Sequence, residues 1–142
     1  MAKETQTVIV NAPITDVFAF LADGLNNPKW RSEVKSISLA SGSGATAIYQ
    51  QTMAGPGGRD IRGDYRVSEF TAPKLLSFEV IAGPARPSGR FDLTEVTPSQ
   101  TELTFTIELI PTGFMKLMGG IIAKQVKAEV SNIARVAVAM GV

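Results

Sequence analysis

The chain has 142 residues, so a single domain over residues 1–142 is the default expectation. Its net charge is +1, from 14 Lys and Arg against 13 Asp and Glu, and no basic stripe stands out, which argues against a nucleic-acid partner. Cysteine and histidine are both absent. This excludes thiolate metal sites, a cysteine nucleophile and a Ser–His pair, so we expect no metal and no cofactor.

The first ten residues, MAKETQTVIV, run directly into a strand pattern. They lack the apolar core and the cleavage site of a signal peptide. No apolar run approaches the ~20 residues that are needed to cross a bilayer. We therefore expect a soluble, cytoplasmic protein without an integral membrane segment.

A strand is predicted at residues 5–11, followed by two short helical pieces. Pro13 suits the first position of a helix, and apolar residues recur at helical spacing until Asp23 and Gly24 end it. A turn or second short helix is predicted at residues 25–29, where Asn and Pro act as breakers. Trp30 follows it. We expect Trp30 either to pack at the junction with the sheet or to form part of a cavity mouth.

Alternating apolar and polar residues mark six further strands. The first of these slips by one residue, which makes a bulge possible. The last is the clearest, because Leu103, Phe105, Ile107 and Leu109 alternate with polar residues. The pattern predicts an antiparallel meander of about seven strands in all, with one face in water. The six predicted strands cover residues 32–40, 46–53, 61–67, 75–82, 89–97 and 101–110.

The C-terminal residues 112–142 are predicted to form a long amphipathic helix. Gly119 and Gly120 favour a break, which would leave residues 114–118 as a separate short segment. The helix is the only element large enough to cover the apolar face of the sheet. We therefore predict an α+β fold in which a curved sheet wraps around this helix. Its apolar face would hold Met118, Ile122, Val126, Ile133 and Ala137, and its polar face Lys116, Lys124, Lys127, Ser131 and Arg135.

Glu129 lies among the apolar residues of this helix. A carboxylate in such a place must be paired, hydrogen-bonded, protonated or hydrated. It would form a structural ion pair with an arginine of the sheet, reach solvent through a slight rotation of the helix, or act as a polar anchor inside a ligand cavity.

A gap between the sheet and the helix would be lined by aromatic residues and methionines, although periodicity cannot distinguish a cavity from a solid core. Tyr49 and Tyr65 would orient a ligand carbonyl there or hydrogen-bond one another. Arg62, Arg66 and Arg90 fall on the outward side of their strands. The candidate ligand-binding residues are Trp30, Tyr49, Gln51, Met53, Tyr65, Phe78, Phe91, Phe105, Met118, Ile122 and Glu129.

The stretch from the first strand to Trp30 resembles the START-like superfamily, also called Bet v 1-like or SRPBCC, and within it the polyketide cyclase/dehydrase and lipid-transport group. The residues that match the family pattern are Ala12-Pro13, Val17-Phe18, Leu21, Asp23 and Pro28-Lys29-Trp30. The order of elements matches over the whole chain. The resemblance implies the helix-grip fold, with a hydrophobic cavity between the sheet and the C-terminal helix, and it transfers no catalytic residue.

Three functions remain open at this point. The first is a binding protein for a small hydrophobic or amphipathic molecule of lipid, polyketide or aromatic type. The second is an enzyme of cyclase or dehydratase type, in which Glu129 or a tyrosine moves a proton. The third is an accessory protein that acts through its surface or as a homodimer, if the apolar segment 114–118 is exposed.

Overall fold

The computed structural model describes residues 2–111 and 113–142, without the side chains of Pro56, Phe114, Met115 and Met118. Its elements follow the predicted order. The strands and α-helices are β1 (Ala2–Val10), α1 (Ile14–Ala22), α2 (Asn27–Trp30), β2 (Val34–Ser41), β3 (Ile48–Ala54), β4 (Asp60–Arg62), β5 (Tyr65–Thr71), β6 (Leu75–Val80), β7 (Ser88–Thr97), β8 (Gln100–Leu109), α3 (Gly119–Ser131) and α4 (Val136–Met140). Short 3-10 turns lie at Gly24–Asn26, Gly44–Thr46, Pro56–Gly58, Gly113–Met118 and Asn132–Arg135.

The strands form one antiparallel sheet in the order β1-β8-β7-β6-β5-β3-β2, with β4 paired to β3. The alternation of β8 is confirmed, because Leu103, Phe105, Ile107 and Leu109 are all buried. The possible bulge in the second strand is also confirmed. The register between β2 and β3 shifts twice, between Val34 and Ser36 and between Leu39 and Ser41.

The predicted strand 61–67 is divided into β4 and β5, so the sheet has eight strands instead of seven. The division falls at Gly63 and Asp64. Asp64 has the same parity as Arg62 and Arg66, which were expected to face outward, but the residue is buried and its carboxylate accepts the backbone N–H of Gln51 at 3.1 Å. Arg62, whose side chain is exposed as expected, pairs with the same carboxylate. A single residue that turns inward to satisfy a backbone donor thus ends the regular alternation.

The two helical pieces after β1 are confirmed. The apolar side of α1, formed by Ile14, Val17, Phe18 and Leu21, is buried. Trp30, at the end of α2, is only 2% exposed. Its ring meets Phe91 and Phe105 edge to face, at 5.9 and 5.6 Å between ring centroids. This arrangement is the junction packing that was one of the two expectations for Trp30.

The C-terminal segment covers the inner face of the sheet, as predicted. It is not one continuous α-helix, because the 3-10 turn Asn132–Arg135 separates α3 from α4. The predicted short segment before Gly119 is confirmed as the turn Gly113–Met118. Among residues 2–111 and 113–142, no helix is long and apolar enough to span a membrane. The buried residues of the segment are Ile122, Val126, Val130, Asn132, Ile133 and Val136.

Candidate functional site

A cavity of about 180 Å³ lies between the inner face of the sheet and α3, and it is partly open to solvent. Its wall is mainly apolar and includes six polar or charged side chains. The apolar lining includes Met53, Ile61, Phe78, Val80, Ala85, Pro87, Ile107, Leu109 and Val126. The polar and charged lining residues are Arg31, Glu33, Gln51, Arg62, Gln125 and Glu129.

The charged part of the wall is built around Arg31. This residue follows α2 directly and has an extended backbone. Its Nη2 donates to Glu129 Oε2 at 3.3 Å, and the side chains are 5% and 18% exposed, respectively. The guanidinium carbon also lies 5.9 Å from the ring centroid of Trp30 and 5.7 Å from that of Phe78. Two rings and one carboxylate therefore hold the cation in place.

Glu129 therefore forms an ion pair and also lines the cavity. On the sequence alone, a structural ion pair and a position in a cavity were alternatives. Its partner is not an arginine of the sheet, as expected, but Arg31 from the connection between α2 and β2. Burial raises the pKa of the Glu129 carboxyl, and the charge of Glu33 acts in the same direction, whereas Arg31 opposes both. The carboxylate of Glu33 accepts Asn132 Nδ2 at 2.8 and 2.7 Å.

The raised pKa of Glu129 makes its contribution to stability depend on pH. The folded carboxyl keeps its proton to a higher pH than the unfolded one, so the native state binds more protons in the window above the unfolded value of about 4.3. The free energy of unfolding should fall as pH rises through that window. We expect the free energy of unfolding of the wild type, minus that of Glu129→Gln, to become smaller as pH rises. Urea unfolding at a series of pH values measures both quantities. An increase with pH would contradict the prediction.

The two tyrosines belong to a polar network beside the cavity. The Tyr49 hydroxyl accepts the backbone N–H of Gly24 at 3.1 Å, and the Tyr65 hydroxyl accepts Asn27 Nδ2 at 2.9 Å. Asn27 Nδ2 also donates to Gln51 Oε1 at 3.0 Å. Burial raises the pKa of Tyr65. The tyrosine hydroxyls thus do not bond one another, and they fasten the helical connection after β1 to the sheet.

The family described as polyketide cyclase/dehydrase and lipid transport matches residues 1–138 of the sequence. The chain belongs to this family. No curated protein matches it in sequence.

Solved structures confirm the helix-grip fold of this polyketide cyclase/dehydrase and lipid-transport family member. A protein of Thermus thermophilus is 16% identical with a TM-score of 0.77, over 97% of this chain and 93% of that one. A START superfamily protein of Mycobacterium smegmatis is 17% identical with a TM-score of 0.69, over 95% and 99%. The Streptomyces aromatase/cyclase Zhui is 16% identical with a TM-score of 0.70, over 97% and 90%.

Four of the residues proposed from the sequence line the cavity: Gln51, Met53, Phe78 and Glu129. Trp30 and Phe105 pack in the core behind it, and Ile122 is buried on α3 without reaching the cavity wall. Tyr49, Tyr65 and Phe91 instead line a small void of about 20 Å³ near α2. The Met118 side chain lies outside the described residues.

Arg31, Glu33 and most of the apolar wall are not among the candidate residues predicted from the sequence. Arg31 directly follows the Pro-x-Trp motif, and this position is the signal in the sequence that points to it. Ile107 and Leu109 share the inward parity of Phe105, and this was visible in the alternation of β8. No group of three or more acidic side chains within the described ranges is arranged to hold a metal ion.

The accessory-protein hypothesis depended on exposure of the segment 114–118. Of its described side chains, Leu117 is 83% exposed and Lys116 is exposed as well. The side chains of Phe114, Met115 and Met118 lie outside the described residues.

Proposed function

We propose that the protein binds a small hydrophobic or amphipathic molecule in the cavity between the sheet and α3. The observation that supports this most is the composition of the cavity wall. It is apolar over most of its area and includes the polar side chain of Gln51 and the ion pair of Arg31 and Glu129. Ligand sites in proteins characteristically combine an apolar lining with a few convergent polar groups. Membership of a family described by polyketide chemistry and lipid transport agrees with a ligand of this kind.

The cavity volume limits the size of the ligand. An engineered apolar cavity of about 150 Å³ is large enough for benzene. A cavity of about 180 Å³ with an open side would therefore take a single ring with a short chain, or an aliphatic chain of about eight carbons. A larger polycyclic molecule would have to protrude through the open side or displace α3.

A second candidate function is catalysis, because a carboxyl with a raised pKa lies on the cavity wall. Because burial raises the pKa of the Glu129 carboxyl, this group is a candidate proton donor or acceptor, as buried carboxyls are in several enzymes. The tyrosine hydroxyls are less suitable proton carriers, since both already bond to the connection after β1. If Glu129→Gln left turnover of an identified substrate unchanged, Glu129 would not be the proton carrier.

The proposed function is tested first by native mass spectrometry of the purified protein, followed by denaturing analysis of any released molecule. A bound amphipathic molecule would support the proposal and give its chemical class. The second step is calorimetric titration with two eight-carbon test ligands, octan-1-ol and octanoate, which fit the cavity volume.

Val80→Phe is expected to weaken the binding of a test ligand at least tenfold. Val80 lines the cavity from β6, so the larger ring would occupy space that the ligand needs. Val96→Phe is the matched control, because Val96 is an exposed residue of β7 away from the cavity. Calorimetry on the wild type and both variants measures the effect. Equal affinity in the wild type and Val80→Phe would contradict binding in this cavity.

A further inference from the structure

We propose that the ligand of this cavity carries a carboxylate, and that Arg31 binds it. The proposal rests on the function proposed above and specifies the class of ligand, an apolar acid. Its basis is the incomplete pairing of a buried arginine. Of the three guanidinium nitrogens, only Nη2 donates to an acceptor in the described part of the protein, and that acceptor is Glu129 Oε2. Nε also has no partner among the described residues, but it is fully buried, so a molecule in the cavity would bond to the terminal Nη atoms.

The single bond that Arg31 makes is also a long one. Hydrogen bonds between a guanidinium and a carboxylate usually measure about 2.7–2.9 Å and are often bidentate. The bond to Glu129 measures 3.3 Å and uses one nitrogen. A buried cation needs both a counter-charge and acceptors for its N–H groups. The Arg31 side chain is only 5% exposed, and its acceptors in the described residues satisfy it only in part.

The terminal N–H groups of Arg31 that lack an acceptor among the described residues are suited to bind a planar oxyanion. The guanidinium offers its donors in a rigid fork that matches the two oxygens of a carboxylate. The residue forms part of the cavity wall, and the rings of Trp30 and Phe78 limit its movement. A ligand with an acid group at one end and an apolar body would place the acid at Arg31 and the body against Met53, Val80 and Ile107.

The other charged groups around Arg31 determine how such a ligand would be accommodated. Glu33, on the connection before β2, is already bonded to Asn132, and Arg62 is paired with Asp64. Glu129 on α3 competes directly with the ligand for Arg31. We therefore expect the ligand carboxylate to replace Glu129 as the counter-ion, while Glu129 takes up a proton. Removing the charge of Glu129 should then strengthen the binding of an acid relative to that of a neutral ligand of the same length.

The test compares octanoate with octan-1-ol, which have the same chain length and differ in charge at pH 7. Wild-type protein is expected to bind octanoate at least tenfold more tightly than octan-1-ol in calorimetric titrations. Glu129→Gln should increase the ratio of octanoate affinity to octan-1-ol affinity several-fold. The double variant Arg31→Met/Glu129→Gln, which buries neither charge, should lose the preference for the acid and still bind octan-1-ol.

The outcomes separate this proposal from the one on which it rests. Binding of octan-1-ol with equal or greater affinity than octanoate would overturn the assignment of an acidic ligand and leave the binding function standing. Failure of both molecules to bind would overturn both proposals for ligands of this size. A preference for octanoate that persisted in the double variant would show that the acid is recognised elsewhere than at Arg31, and would also overturn the proposal.

Discussion

Arg31→Met is expected to lower the free energy of unfolding by about 3 kcal/mol at neutral pH. The substitution leaves the Glu129 carboxylate largely buried without its cation, and breaking a buried pair in this way typically costs about 3–5 kcal/mol. The lower end applies because the Glu129 side chain is 18% exposed and a protonated carboxyl costs less to bury. Urea unfolding followed by circular dichroism measures the change.

Arg66→Met is the matched control for this prediction. Arg66 pairs with Glu79 across neighbouring strands, but the two side chains are 48% and 47% exposed. An exposed pair contributes only about 0–1 kcal/mol, so this variant should be close to wild type. The double variant Arg31→Met/Glu129→Gln should recover most of the loss, since no unpaired charge remains buried. Equal losses in Arg31→Met and Arg66→Met would show that the buried pair has no special role in stability.

Gly24→Ala is expected to lower the free energy of unfolding by about 1–3 kcal/mol, the usual range for overpacking a core. A Cβ atom at Gly24 would lie 2.7 Å from Tyr49 Cζ and would also collide with the Tyr65 hydroxyl. The two tyrosine rings stack at 5.1 Å and cannot both move away without breaking their bonds to Gly24 and Asn27. The same unfolding measurement gives the change.

Gly120→Ala provides a control of opposite sign. Gly120 lies in α3, and no heavy atom would come within 4 Å of an added Cβ there. Alanine in a helix is favoured over glycine by about 0.5–1 kcal/mol, so this variant should be slightly more stable than wild type. A stabilising effect of Gly24→Ala would contradict the close contact between the turn and the tyrosine pair.

The fold could be predicted from the sequence because its signals are local. The alternation of β8 and the apolar spacing of α1 each arise from residues within one element, and both are confirmed. The division of strand 61–67 could not be predicted in this way. It depends on Asp64 accepting a bond from Gln51 on another strand, and a pattern within one segment carries no information about that partner.

The candidate site was predictable only in part for the same physical reason. Glu129 was recognisable as a charge on an apolar face, and its need for a partner follows from the energetics of burial. The identity of that partner depends on how α2 is placed against α3, which brings together residues 98 positions apart in the chain. Aromatic residues can line a cavity or fill a core. Here the rings of Trp30, Phe91 and Phe105 pack against one another in the core. Only the packing of the elements distinguishes these two uses of aromatic residues.

The two register shifts of β2 have a consequence for self-association. β2 forms one end of the strand order, so one side of it has no neighbouring strand within the described part of the chain. A straight, regular edge can pair with the edge of another molecule and start aggregation. The bulges at Val34–Ser36 and Leu39–Ser41 interrupt the regular spacing of backbone donors and acceptors, and Lys35 places a charge at the first of them. This edge is thereby disfavoured as a template for further strands.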